Sequence, residues 1–401
     1  MRRAQRMEGL EGEKAFDTLT EVESLRAAGR SIISFAIGEP DFPTPAHVRQ
    51  AGIGAIEAGE TRYTPPAGIT PLREAIAAHI RQTRGIPVGP ENVVVMAGAK
   101  PVIFHTILAC VDRGDEVLCP DPGFPAYAAA VQLAGGRAVF VPWLGADGFA
   151  FDVEALRRLA GPRTRMIVLN SPHNPTGGVL GAAELAAVAE IAERCDAWVL
   201  SDEIYSRLIY DGVHHSIASL PGMAERTIIV DGFSKAYAMT GWRIGYGVMP
   251  ADLAAQVARL YTHCDSCTAA FTQRAALAAL TGPQQATAAM VAELRSRRDR
   301  MVAGLNALPG VRCAMPGGAF YAFPEVSEAC RRLGLADAEA LQHRLLHEAG
   351  VATLTRTAFG PRRPGERGEY LRITYATGLA AIEEGLERMA KLLGRRDADP
   401  T

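Results

Sequence analysis

A lysine and an arginine eight residues apart are the first side chains in this sequence that could do chemistry together. They lie in Asp231-Gly232-Phe233-Ser234-Lys235-Ala236-Tyr237-Ala238-Met239-Thr240-Gly241-Trp242-Arg243, directly after the β-branched run Thr227-Ile228-Ile229-Val230. A lysine just beyond a buried strand is partly desolvated, which lowers its pKa and frees a neutral amine to attack a carbonyl. An arginine presents a fixed fork of donors that matches a phosphate. Taken alone, the stretch reads equally as a surface lysine and a surface arginine beside a turn, so the rest of the chain must decide.

An aldehyde and a phosphate on one small molecule describe pyridoxal phosphate, and its chemistry sets further needs. The phosphate needs backbone N–H groups, best supplied where a turn enters a helix. Gly98-Ala99-Lys100-Pro101 follows the apolar run Val93-Val94-Val95-Met96, and because Pro101 has no N–H the donors there are Ala99 and Lys100. A plain strand-to-helix turn is the equal alternative. The pyridine nitrogen stays protonated beside a buried carboxylate. Asp202, at the end of Ala197-Trp198-Val199-Leu200, suits that role, and a helix cap is its competing reading. Asn174 and Tyr205 are candidates to hold the phenolic oxygen, and Phe124 to cover the ring face or simply to sit in the core. A substrate α-carboxylate calls for a bidentate arginine. Arg372 lies between Leu371 and Ile373, where a buried guanidinium without an anion would be costly.

The elements that position these residues follow a pattern. Apolar runs at 93–96, 116–119, 165–169, 197–200, 227–230 and 244–248 alternate with helical stretches, and several end in a polar or aromatic residue. Such a pattern predicts an α/β fold, with a mostly parallel sheet covered by helices on both faces and ligands bound beyond the carboxyl ends of the strands. A helix is expected over 20–30 and a strand over 31–37. The rigid loop Gly38-Glu39-Pro40-Asp41-Phe42-Pro43-Thr44-Pro45 follows, then a helix from Pro45 to Gly59. After Gln273 the character changes. A charged amphipathic helix is expected over 284–307, then short strands at 311–313, 318–323 and 370–375. The expected organisation is a large domain over 46–283 and a smaller α+β domain formed by 1–45 and 284–401.

Composition narrows the function. Lys+Arg 42 against Asp+Glu 44 leaves no basic excess for nucleic acid. The longest uncharged apolar run, Pro101 to Val111, falls short of the about 20 residues that span a bilayer. No hydrophobic segment follows the basic start, so no secretory signal is read there. Seven scattered cysteines suit reduced thiols in the cytoplasm. Cys264-Asp265-Ser266-Cys267 lacks a second pair for zinc, and no metal site is expected. His214-His215 reads as a solvated loop pair. No G-x-G-x-x-G follows a strand, and neither a P-loop nor an H-E-x-x-H occurs.

Five motifs carry a resemblance that runs from about Thr20 to Leu393. They are Gly38-Glu39-Pro40-Asp41-Phe42, Tyr63 with Pro65-Pro66-Ala67-Gly68, Asn174-Pro175-Thr176-Gly177, Ser201-Asp202-Glu203-Ile204-Tyr205, and Ser234-Lys235 through Gly241-Trp242-Arg243-Ile244-Gly245. In this order and spacing the chain resembles the fold-type I, class I/II pyridoxal-phosphate aminotransferases, including prokaryotic aspartate aminotransferases.

The resemblance implies that Lys235 carries the cofactor and shuttles the α-proton, Asp202 pairs with the pyridinium, and Asn174 and Tyr205 bind the phenolic oxygen. It implies phosphate contacts from Ser234, Arg243 and the turn at Ala99-Lys100, and a ring platform in Phe124. Gly38, Asn174 and Arg372 would meet the substrate. A homodimer is implied, with Tyr63 reaching the partner's site. Three positions depart from relatives or vary among them. Gly232 stands where many relatives place a phosphate-binding serine. Arg356, in Leu354-Thr355-Arg356-Thr357, replaces part of a Pro-Gly pair and is expected in solvent, with entry into the substrate pocket as the alternative. Lys100 could read a distal carboxylate. The expected reaction moves an amino group between an L-amino acid, aspartate or glutamate first, and a 2-oxo acid. A β-eliminating C–S lyase or cyclising enzyme on the same fold is the nearest alternative, and a non-catalytic cofactor-binding regulatory module the more distant one.

Overall fold

The protein is described from a computed structural model, over residues 4–144, 150–363 and 365–394. Its strands are β1 (Ile33–Ser34), β2 (Val93–Met96), β3 (Glu116–Asp121), β4 (Arg137–Leu144), β5 (Ala150–Phe151), β6 (Thr164–Asn170), β7 (Trp198–Asp202), β8 (Thr227–Gly232), β9 (Gly245–Val248), β10 (Tyr321–Ala322), β11 (Val351–Ala352), β12 (Leu354–Thr355) and β13 (Leu371–Thr374). Eight of them form one sheet in the order β2-β9-β8-β7-β6-β3-β4-β5.

Side chains alternate across a strand, so a sheet covered on both faces needs unbroken apolar runs. β2 shows this directly. Val94 and Met96 join the core beneath the helices Ala99–Cys110 and Ala251–Cys264, with Ile103, Ile107, Val257 and Tyr261. Val93 and Val95 face the other way, onto Leu72, Ile76 and Ile80 of the helix Thr70–Arg84 and Ala275 and Ala276 of the helix Ala270–Thr281.

From β8 through β7, β6 and β3 to β4 the strands are parallel, and β9 runs against both its neighbours. The reversal of β9 brings Gly245, at its start, opposite Gly232 at the end of β8 and Met96 at the end of β2. The chain therefore enters β9 at the edge where the parallel strands leave the sheet, and Arg243 is delivered to the same rim as Lys235.

A second layer uses both ends of the chain. β1 pairs in parallel with β11, and β10-β13-β12 is antiparallel. The helices Gln285–Asn306 and Leu379–Leu393 pack here, with Leu294, Met301, Leu305 and Leu386 in one core together with Phe35 and Ile373.

Several boundaries differ from the sequence expectation. The first long helix is Lys14–Ala27 rather than 20–30, and only Ile33–Ser34 of 31–37 pairs as a strand. Residues 311–313 contribute a single bridge, Arg312 to Glu325, rather than a strand. β4 and β5 went unforeseen. Pro142 in β4 lies at the far end of the pairing with β3, next to the two-residue β5 at the sheet edge, where a missing N–H is tolerated.

Candidate active site

The carboxyl ends of β2, β3, β6, β7 and β8 open into a cavity of about 530 Å³, which the second layer closes from the other side with Tyr321, Phe359 and Arg372. Lys235 follows β8 by three residues. The residue is partly buried. Desolvation lowers its pKa to about 8, with Arg372 and Arg243 adding repulsion and Glu39 opposing. Its Nζ donates to the Gly38 carbonyl at 2.7 Å. A Cβ on Gly38 would lie 1.9 Å from the Tyr321 hydroxyl, so only glycine lets the loop pass this close.

Asp202 is the last residue of β7 and is buried, and it caps no α-helix. Its Oδ2 accepts from the Tyr127 hydroxyl at 2.6 Å, and its Oδ1 from the Ile204 N–H at 3.2 Å. Burial raises its pKa to about 6 against these two bonds. Asn174 is set by Asn170 at the end of β6, whose Oδ1 takes the Asn174 N–H at 2.8 Å while its Nδ2 donates to the Asp202 carbonyl at 3.1 Å. The Tyr205 and Tyr321 hydroxyls meet at 2.8 Å.

Arg372 is buried with no carboxylate in salt-bridge contact among the described residues. Its Nη1 donates to Asn174 Oδ1 at 3.1 Å and its Nη2 to the Ala36 carbonyl. Its Nε has no partner. The guanidinium lies over the rings of Tyr321 at 4.5 Å and Phe359 at 4.9 Å. A buried cation with an idle donor, facing the cavity, is a site prepared for an anion.

At the other end, the helix Ala99–Cys110 starts with its N-terminal N–H groups uncapped by any side chain after Gly98. Arg243, in the left-handed region at φ 51°, folds back with Nη1 on the Thr240 carbonyl at 2.7 Å and Nη2 on the Ala97 carbonyl at 3.3 Å. Gly98 has φ 111°, and a Cβ there would lie 2.3 Å from Arg243 Nη2. Helix N–H groups, Ser234 and a guanidinium thus converge on one corner of the cavity, a cradle suited to a dianion. Phe124 lines the cavity and meets Tyr127 edge to face at 5.7 Å.

A family model described as aminotransferase class I and II matches residues 30–389. The chain belongs to this family. It is 36% identical over 398 residues to an aspartate aminotransferase of Geobacillus stearothermophilus, covering 99% of this chain and 100% of that one. It is 40% identical over 380 residues to an aspartate/prephenate aminotransferase of Thermus thermophilus, covering 92% and 93%. A solved aspartate aminotransferase of Rhizobium meliloti superposes with TM-score 0.92 at 34% identity, over 98% of this chain and 99% of that one. The protein is a pyridoxal-phosphate-dependent aminotransferase.

The cavity of this aminotransferase gathers Lys235, Asp202, Tyr205, Asn174, Ser234, Arg243, Ala99, Lys100, Phe124, Gly38 and Arg372. Tyr63 is not among its lining residues and is 86% exposed on this chain.

Two sequence expectations are corrected. Arg356 is neither in solvent nor in the cavity. It is 1% exposed and bonded to Asp121 and Glu366. His214 is not a solvated loop residue, because its Nε2 lies 2.9 Å from Glu203 Oε2 in a largely buried cluster with Arg84, while His215 is exposed. Burial opposes ionisation of Glu203, yet Arg84 and His214 hold it below the usual carboxylate range.

Gly232 has a steric reason. A Cβ there would lie 2.9 Å from the Gly245 Cα across the β8–β9 pair and 3.3 Å from the Ile244 carbonyl. Serine at 232 would force these strands apart.

Sequence reasoning missed Tyr127, Asn170 and Tyr321, which touch Asp202, Asn174 and Tyr205 from other elements. Tyr127 was findable as a polar aromatic three residues beyond Phe124. Tyr321 had no local signal. Also missed were Glu13, just before the helix Lys14–Ala27, and Phe16 in its first turn, which line the same cavity.

Proposed function

We propose that this enzyme moves the amino group of an acidic L-amino acid, aspartate or glutamate, to 2-oxoglutarate or oxaloacetate, with pyridoxal phosphate held in the cavity of Lys235. The buried, partly unpartnered guanidinium of Arg372 across that cavity carries the reading. Relatives at 36–40% identity named for aspartate support the substrate class.

The residues fit the cofactor. Its phosphate would take the N–H groups of Ala99 and Lys100, the Ser234 hydroxyl and Arg243; its ring nitrogen Asp202; its phenolic oxygen Asn174 and Tyr205; its face Phe124. When bound, pyridoxal phosphate supplies an aldehyde carbon for the amino group and an electron sink for the charge left when the α-proton departs.

This chain's own groups do the rest. Arg372 takes the α-carboxylate with the donors it leaves idle, beside Asn174 and Gly38, and so fixes the substrate's Cα–H direction. Lys235, with its pKa near 8, has a sizeable neutral fraction near pH 7.5 and can take a proton from Cα and return it elsewhere. Burial raises Asp202 to about 6, which still leaves it a carboxylate near pH 7.5, able to pair with a protonated ring nitrogen. Tyr127 orients that carboxylate by its hydrogen bond.

The division into 46–283 as the cofactor-binding domain and 1–45 with 284–401 as the second is part of this proposal, supported by the β1–β11 pairing of the chain's two ends. So is a homodimer, supported by the outward-facing Tyr63. No helix among the described residues is long and apolar enough to cross a membrane, which accords with a cytoplasmic enzyme.

The test is a half-reaction. Aspartate added to the loaded enzyme should change the cofactor absorbance and release oxaloacetate, and 2-oxoglutarate should reverse the change. Accumulation of pyruvate and ammonia without that change would make the protein a lyase instead. Full turnover by Lys235→Ala would overturn the mechanism.

A further inference from the structure

One carboxylate already stands in the cavity where a substrate carboxylate would be expected. Glu13 is the residue before the helix Lys14–Ala27, at a position that favours Ser, Thr, Asp or Asn for capping. Its side chain makes no capping hydrogen bond. It reaches into the cavity instead and pairs with the Lys100 ammonium. Lys100 is held in place between two rings, 5.1 Å from the centroid of Phe124 and 5.8 Å from that of Phe16. The Glu13 charge is also felt at Arg372, where it favours the cation against strong desolvation. Glu13 therefore pairs with one of the two cations that a dicarboxylic substrate would bridge and lies within electrostatic reach of the other.

The segment that carries Glu13 is lightly held. Lys14 Nζ donates to Thr357 at 3.2 Å on the exposed side, and Gln132 donates to the Glu8 carbonyl at 2.9 Å. Glu13 is about a quarter exposed and Lys100 about two-fifths, so the pair sits at the mouth of the cavity, where water can receive a released carboxylate. Releasing it costs no helix cap.

We propose that Glu13 is a specificity-determining residue: an internal carboxylate that occupies Lys100 until an acidic substrate displaces it. This rests on the aminotransferase reading above. An aspartate or glutamate side chain must take Lys100 from Glu13 and leave two carboxylates close together unless Glu13 swings out to solvent. An uncharged side chain meets Phe16 and Phe124 and leaves the pair intact. Glu13 thus lowers the advantage that Lys100 gives to acidic substrates and widens the range of donors the cavity accepts.

The experiment compares wild type, Glu13→Gln and Glu13→Gln/Lys100→Met, all loaded with cofactor. Aspartate and glutamate are compared with phenylalanine and alanine as donors. In Glu13→Gln the ratio of acidic to apolar kcat/KM should rise roughly three- to tenfold, through KM rather than kcat, as expected for a partly exposed charge pair and the removal of a like charge. In the double variant that gain should vanish, because Glu13 acts through Lys100. A binding arm is independent of turnover: succinate, titrated calorimetrically, should bind tighter to Glu13→Gln than to wild type, and butyrate should not. An equal change for all donors, or equal effects on succinate and butyrate, would assign Glu13 a merely structural role and overturn the proposal. A wild type that binds succinate as expected but transaminates no donor would overturn the functional reading while leaving the Glu13–Lys100 competition standing.

Discussion

Replacing Arg356 with alanine separates two readings of one residue. In the structure its guanidinium is fully engaged: Nη2 lies 2.8 Å from Asp121 Oδ1 and 2.9 Å from Glu366 Oε2, Nε 2.6 Å from Glu366 Oε1, and Nη1 3.0 Å from the Gly360 carbonyl. Removing one partner of a buried pair costs about 3–5 kcal/mol, because the remaining charge keeps its desolvation penalty. Arg363, at 2.9 Å from Asp121, stays and offsets part of it, which points to the lower half of that range. An unfolding entropy of about 2 cal/mol/K per residue over a chain of this length then gives a fall in Tm of about 4–5 °C. Calorimetry at one fixed scan rate reads this directly. Activity should fall for all donors alike, because Phe359, in the same turn, lies against Arg372. The ratio of kcat/KM for aspartate to that for phenylalanine should stay within about twofold, since Arg356 does not line the cavity. A selective loss of acidic donors with an unchanged Tm would place Arg356 in the substrate pocket and refute the reasoning.

Three other outcomes are expected. Arg372→Lys keeps the charge but loses the planar fork, so kcat/KM should fall by about 10²-fold for every amino donor whatever its side chain; a loss confined to acidic donors would be incompatible with an α-carboxylate role. Lys235→Met should abolish turnover yet stabilise the cofactor-free protein. Burial lowers this lysine from 10.5 to about 8, so the unfolded chain holds the proton more tightly. The resulting cost, on the order of 3 kcal/mol, is full below pH 8 and is lost as pH rises through 10.5. The stability gain of the variant should fade over that window in denaturant titrations, and a pH-independent gain would contradict it. Gly232→Ser should lower stability by about 1–3 kcal/mol through the contact with Gly245; tighter cofactor binding with no loss of stability would show that the strands yield easily.

Much of this site could be read from the chain because it is built at strand ends. An apolar run, a turn and a polar residue are local signals, and the rule that ligands gather at carboxyl ends of a parallel sheet assigns Lys235, Asp202, Asn174 and Ala99 to one rim from the sequence. Arg372 was legible for a related reason, as a charge between buried neighbours. Lys235's lowered pKa followed from its place after a buried strand.

Tertiary structure alone decided which partners meet across the cavity. The reversal of β9 aims Arg243 back at the helix Ala99–Cys110, and strand direction is not written in an apolar run. The Tyr127 bond to Asp202 and the Tyr321 bond to Tyr205 join residues 75 and 116 positions apart. Arg356 shows the limit most plainly. Its neighbours in sequence gave no hint of Asp121, 235 positions away. A long flexible cation goes wherever a buried carboxylate must be neutralised, and only the packed fold determines where that carboxylate is.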